Sequence, residues 1–84
     1  LSEAYPNPAR GSAVLDLRVR ESQDVTAEIY NLLGQKVGVL HSGAVAADQP
    51  LELRVDGDQL ASGVYFVRVD GERFRTIRKL VVVR

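Results

Sequence analysis

The fold is decided by residues 60–69, which read Leu-Ala-Ser-Gly-Val-Tyr-Phe-Val-Arg-Val. Small residues at 61–63 mark a corner, and the apolar residues that follow alternate with a period of two. Because successive side chains of a β-strand point to opposite faces, Tyr65, Val67 and Val69 share one face. The pattern predicts a strand that begins at a corner, buries these three side chains and ties the Tyr65 hydroxyl to nearby backbone.

The same alternation recurs on both sides of this stretch. Strands are predicted at residues 13–20, 25–30, 36–40, 51–55, 64–69 and 74–83, the last as one long strand or two short ones. The polar residues 21–24 predict that the first two strands pair as an antiparallel hairpin. Asp70-Gly71 is typical of a two-residue hairpin turn. Gly34 is expected to adopt a positive φ in a tight turn. Residues 41–50 are expected to form a looser connection.

Six or seven short strands without helical periodicity define the fold class. They predict an all-β protein, an immunoglobulin-like antiparallel β-sandwich. Residues 1–12 are predicted to form a lead-in linker and residues 13–84 the folded domain. The 84 residues include no cysteine. Stability therefore has to come from the core and the strand ladders, without disulfides.

The charge of the chain argues against some classes of function. Eleven basic and eleven acidic residues balance, which argues against a general nucleic-acid or membrane-surface role. The segment from residue 73 to 84 is nevertheless basic and contains no acid. Two explanations remain open. The segment is a solvated strand whose counter-charges lie on neighbouring strands, or it is a basic strand that meets an acidic receptor groove. The counter-charges expected in the first case are Asp16, Glu28 and Glu52.

Residues suited to catalysis or metal binding are scarce. His41 is the single histidine and there is no cysteine. Two carboxylates around Gly57, Asp56 and Asp58, are too few for a calcium site and are explained by a turn. We therefore predict no enzyme, no catalytic residue, no metal site and no cofactor. Because the chain starts at Leu1 and contains no methionine, it is expected to be an excised C-terminal piece of a longer protein.

Four motifs, in order along the chain, carry a resemblance to a known family. They are Tyr5-Pro6-Asn7-Pro8, Ile29-Tyr30-Asn31-Leu32-Leu33-Gly34-Gln35, Leu60-Ala61-Ser62-Gly63-Val64-Tyr65 and Lys79-Leu80-Val81-Val82. Together they resemble the C-terminal sorting domain of the type IX secretion system, the Por-type, type A family. The motif positions carried over are Pro6, Asn7, Pro8, Gly34, Gly63 and Tyr65.

The resemblance implies a tag on a larger exported protein. The parent would carry an N-terminal cargo domain, cross the inner membrane by a signal peptide and pass in transit through the periplasm. The tag would direct it through an outer-membrane translocon with its shuttle to the cell surface or the extracellular space. A sortase-like peptidase of the system often removes such a tag and attaches the cargo to the surface.

The last strand is the candidate recognition element, since a terminal strand can offer its edge to a receptor by β-augmentation. Its residues are Lys79, Leu80, Val81, Val82, Val83 and Arg84. Leu80 and Val82 are expected to share one face, with Lys79, Val81 and Val83 on the other. No nucleic-acid partner is expected, and an exposed edge strand would also allow an edge-strand dimer.

Two other classes of function compete with a sorting signal. The first is a structural spacer or interaction module resembling the immunoglobulin-like domain of flagellar hook-capping proteins. The second is an accessory carbohydrate-binding module. The chain has no tryptophan. The aromatic residues expected to face outward, Tyr30 and Phe66, lie on separate strands, so they would form a poor platform for stacking a sugar.

Overall fold

The computed structural model describes residues 1–83 and shows six strands. Within this range they are β1 (Ser12–Leu17), β2 (Gln23–Asn31), β3 (Lys36–Val45), β4 (Leu51–Asp56), β5 (Gly63–Asp70) and β6 (Arg75–Val82). A short 3-10 turn, Gly57–Gln59, follows β4. The Asp56 side chain accepts a hydrogen bond from the Asp58 amide at 3.0 Å, as expected of a turn-forming aspartate.

The strands form two antiparallel sheets. One contains β1 and β4, and the other has the order β3-β2-β5-β6. Both sheets turn one face to a shared core, which confirms the predicted all-β sandwich of immunoglobulin-like type.

The predicted hairpin between the first two strands is wrong. β1 pairs with β4, with Leu15 opposite Leu53, and the chain then crosses to the other sheet. Leu17 and Val25 are both buried, so the two strands contribute to the core from opposite sheets. Alternation identifies the buried face of each strand but contains no information about its hydrogen-bonded neighbour, and a polar connection fits either arrangement.

Two connections also differ from the prediction. β3 continues to Val45 instead of ending near residue 40, and its register against β2 shifts twice. The connection between β5 and β6 spans residues 71–74, with Asp70 opposite Arg75, so it is longer than a two-residue turn. The Phe74 ring packs so closely on Gly71 that a Cβ there would collide with it. β6 is one continuous strand, which is one of the two alternatives predicted for residues 74–83.

The core is filled from both sheets. Its largest fully buried side chains are Leu15, Leu17, Val25, Leu53, Val67, Val69, Leu80 and Val82. Each contributes about 1.5–3 kcal/mol of gross burial. Tyr65 is also buried, and its hydroxyl donates to the Ala61 carbonyl at 2.7 Å, which confirms the predicted corner. Gly34 has a φ of 81°, as its turn required.

Residues 1–11 lie along one side of the sandwich. Tyr5 and Val14 exchange two backbone hydrogen bonds of 2.8 and 2.9 Å, which joins this segment to β1. It then crosses to the other sheet, where Ala9 forms a parallel bridge with Val82 of β6. The Tyr5-Pro6 and Asn7-Pro8 peptide bonds are cis. The segment therefore connects the edges of the two sheets.

Candidate functional site: the last strand and the segment that covers it

The last strand contributes one face to the core and leaves the other outward. Leu80 and Val82 are almost completely buried, Lys79 is exposed, and Val81 and Val83 are half-buried. This is the division that the alternation predicts. Arg84, the final residue of the predicted recognition strand, lies outside the described residues.

The outer edge of β6 is partly covered by Ala9. In a strand, the backbone groups of alternate residues point to opposite edges, so β5 uses one set and the other set faces outward. The Ala9 amide donates to the Val81 carbonyl at 2.8 Å, and the Ala9 carbonyl accepts from the Val83 amide at 2.8 Å. This pair of bonds is the pattern of a parallel ladder.

The side chain of Asn7 continues that pattern one step earlier along β6. Its Nδ2 donates to the Lys79 carbonyl at 3.0 Å, and its Oδ1 accepts from the Val81 amide at 3.0 Å. The carboxamide thus occupies the place of a peptide group in a neighbouring strand. Proline has no amide hydrogen, so Pro6 and Pro8 on either side cannot supply the donor from their backbone. We call residues 5–9 the edge cover.

The motif positions named from the sequence lie at one end of the four-stranded sheet. Asn7 contacts Lys79 and Val81, while Gly63 lies opposite Val82 and Tyr65 opposite Leu80. On the other side of β5, Asn31 pairs with Tyr65. The turn that contains Gly34 follows directly, and the Asn31 Oδ1 accepts hydrogen bonds there from the Leu33 and Gln35 amides at 3.0 Å each. Asn7, Gly63 and Tyr65 therefore contact the end of β6, while Gly34 lies at the same end of the sheet, beyond β5 and β2.

The cations of the last strand find different partners from those that the sequence predicted. None of Asp16, Glu28 and Glu52 forms an ion pair with β6 within residues 1–83. Asp70 binds Arg75 across the hairpin, and Glu3 of the lead-in lies 3.5 Å from Arg78. Lys79 forms no ion pair in the described part of the chain. The predicted partners fail because strand pairing, which alternation does not determine, decides which charges become neighbours.

Glu28 instead organises a polar cluster on the outer face of the four-stranded sheet. It accepts hydrogen bonds from the Tyr30 hydroxyl at 2.8 Å, Lys36 at 3.2 Å and Arg68 at 3.1 Å. The Arg68 guanidinium lies 4.8 Å from the centre of the Tyr30 ring. Because this cation covers the ring, Tyr30 is poorly placed to stack on a sugar.

Hydrogen bonds shift the titration of this cluster. The Tyr30 hydroxyl and Lys36 hold the pKa of Glu28 below its ordinary value, and Glu28 in turn raises the pKa of Tyr30. On the neighbouring hairpin, the hydrogen bond from Arg75 lowers the pKa of Asp70 and raises that of Arg75. Both carboxylates are therefore stabilised in their charged form.

These shifts predict a loss of stability in acid. The folded-state pKa values of Glu28 and Asp70 lie below the unfolded values of about 4, so their contribution is fully present above that pH. It is lost as the pH falls through the folded values. We expect the melting temperature to fall more steeply below about pH 4 in the wild type than in the Glu28→Gln/Asp70→Asn variant. Thermal unfolding monitored by circular dichroism between pH 7 and pH 2.5 tests this, and identical acid profiles would contradict it.

The described part of the chain has neither a cluster of metal ligands nor a membrane-spanning helix. Across residues 1–83, no group of three or more His, Cys, Asp or Glu side chains is placed to hold a metal ion. The His41 Nε2 lies 3.2 Å from the Gly43 carbonyl oxygen within β3. None of the helical segments in the described range is long and apolar enough to cross a bilayer.

The fold and this site define a class of protein. It is a small antiparallel β-sandwich module in which the last strand forms one edge of the four-stranded sheet. The family model described as the secretion system C-terminal sorting domain matches residues 3–83. The chain therefore belongs to the type IX secretion C-terminal sorting domain family. No curated protein and no solved structure matches the chain.

Membership in this family gives the general function. The domain is a sorting signal for type IX secretion, and such a domain is not itself catalytic. Its protein is secreted, toward the cell surface or the extracellular space.

Proposed function

We propose that this domain is the C-terminal tag of a larger exported protein and directs its N-terminal cargo from the periplasm through an outer-membrane type IX translocon. The family match over residues 3–83 supports this assignment. Its partners would be the translocon with its shuttle and a sortase-like peptidase that removes the tag and attaches the cargo to the surface.

We further propose that the last strand, residues 79–84, is the element that the translocon recognises. The observation that carries this proposal is the contact of three motif positions, Asn7, Gly63 and Tyr65, with the end of β6. The exposed ammonium group of Lys79, which no described acid neutralises, supports a role for charge in the contact. Leu80 and Val82 are anchored in the core, so they would fix the register of the strand that is presented.

A reversal of charge at Lys79 tests this role. A fluorescent passenger would carry an N-terminal signal peptide and this chain at its C-terminus, in a host with a working type IX translocon. We expect Lys79→Glu to lower the extracellular fraction of the passenger several-fold, because an acidic receptor groove would repel the new charge.

The matched control for that experiment is Arg54→Glu. Arg54 lies on β4 of the other sheet, and its ion pair with Glu52 is exposed, with side-chain exposures of 63% and 51%. Such a pair is worth little, so this variant should fold and be exported normally. Equal export of both variants would contradict recognition through Lys79.

A further inference from the structure

We propose that the outer edge of β6 is a docking site for an extended segment of the secretion machinery, which displaces the edge cover and pairs parallel to β6 in its place. This inference rests on the proposed sorting function.

The edge cover is held in a way that allows its displacement. Its contact with the β6 backbone consists of four hydrogen bonds, two from Asn7 and two from Ala9. Residues 5–8 are exposed, and the buried side chains of residues 1–11 belong to Ala4 and Ala9, which are small. By contrast, β5 pairs with β6 from Gly63 to Asp70. The edge cover can therefore swing away from β6 about Tyr5, whose two backbone hydrogen bonds to Val14 of β1 are kept, while the sandwich stays closed.

The uncovered part of the same edge gives an incoming strand a place to begin. The outward backbone groups of Arg75 and Ile77 have no strand partner among the described residues. The Ile77 carbonyl accepts a hydrogen bond from the Arg78 Nη1 of the next residue at 3.1 Å, and the Ile77 side chain is 52% exposed. A strand that pairs there and extends along β6 next reaches Lys79 and Val81, where it competes with Asn7 for the same groups. Exposed strand edges are templates for this kind of addition.

The groups that the edge cover uses define the chemistry of its replacement. The incoming segment has to present backbone donors and acceptors at alternate residues, matched to the Lys79 carbonyl, both backbone groups of Val81 and the Val83 amide. Ala9 is 1% exposed, so the residue that takes its place has to be small and apolar. An acidic side chain beside Lys79 would complete the charge complementarity.

A reversible lock on the edge cover tests the inference. Ala9→Cys and Val82→Cys place thiols at the two partners of the parallel bridge, in a chain that otherwise has no cysteine. The bacterial periplasm is oxidising, so the disulfide should form there. We expect the passenger that carries the oxidised double variant to stay in the periplasm and to be exported after dithiothreitol is added. Each single-cysteine variant, and the wild type with dithiothreitol, are the matched controls.

The outcomes separate the inference from the proposed function. Export of the oxidised double variant at the wild-type level would overturn the docking site while the sorting function stands. Retention of the wild-type passenger itself would overturn both. A second copy of the chain is a different occupant of the edge. If the purified wild-type tag elutes as a dimer on size exclusion and the disulfide abolishes the dimer, the partner at this edge is a second copy of the chain and not the secretion machinery.

Hydrogen exchange of the purified wild-type chain provides a measurement that needs no cysteine variant. The Val81 and Val83 amides should exchange faster than the amide of Val67 in β5, because the edge cover opens without global unfolding. Asn7→Ala removes the acceptor of the Val81 amide, which should then exchange about ten times faster while Val67 is unchanged. Exchange of all three amides at one common rate would contradict an edge cover that opens on its own.

Discussion

A passenger whose tag lacks residues 79–84 is expected to remain entirely in the periplasm. The deletion removes the backbone with which β5 pairs from Gly63 to Phe66, together with the buried side chains of Leu80 and Val82. It also removes the strand that we propose the translocon recognises. Fractionation of cells that express the truncated and the complete fusion measures the effect, and passenger fluorescence confirms that the cargo itself has folded.

The Lys79→Glu variant shows whether that loss reflects recognition or only unfolding of the tag. Lys79→Glu changes an outward charge in a strand that keeps its core residues, so it should reduce export without lowering the melting temperature. Delivery of the truncated fusion to the cell surface at the normal level would contradict a role for the last strand both in recognition and in the folding of the tag.

Replacement of Leu80 with alanine is expected to lower the free energy of unfolding by about 2–5 kcal/mol. Leu80 has no exposed surface and packs between the two sheets, so the truncation leaves a cavity. Small domains have about 5–15 kcal/mol of net stability, so the loss is a large share of the total. The melting temperature should fall by about 10 °C or more, since about 4–8 °C is lost per kcal/mol in a domain of this size. Thermal and urea unfolding of the purified tag measure it.

Ile77→Ala is the matched control for Leu80→Ala. Both residues are on β6, but Ile77 is 52% exposed and therefore loses little burial when it is shortened. We expect its effect to stay within about 0.5–1 kcal/mol. Equal destabilisation by the two substitutions would show that β6 does not pack as the structure has it.

Local patterns in the sequence predicted the strands and their buried faces well. Tyr65, Val67 and Val69 are buried because period-two alternation depends only on the geometry of a single strand. The bond from the Tyr65 hydroxyl to Ala61 spans four residues, so the corner motif is also local.

Features that join distant parts of the chain were not predictable in the same way. β1 pairs with β4 and not with β2. Alternation could not predict this pairing, because both arrangements bury the same faces of the strands. The role of Asn7 depends on hydrogen bonds to residues 72 and 74 positions away, which no local pattern reveals. The sequence offered one signal for this role. Asn7 has a side-chain amide, whereas Pro6 and Pro8 on either side of it have no backbone N–H to donate. The family resemblance marked Asn7 as a motif position, and the structure supplies a physical reason for it.

The most direct test of the sorting function compares one passenger in two hosts. The passenger carries a signal peptide and the complete chain, and its extracellular fraction is measured in a host with a working type IX translocon and in a mutant of the same host that lacks the translocon. We predict passenger outside the first host and trapped in the periplasm of the second. Passenger that stays in the periplasm of both hosts, with the tag folded, would contradict it.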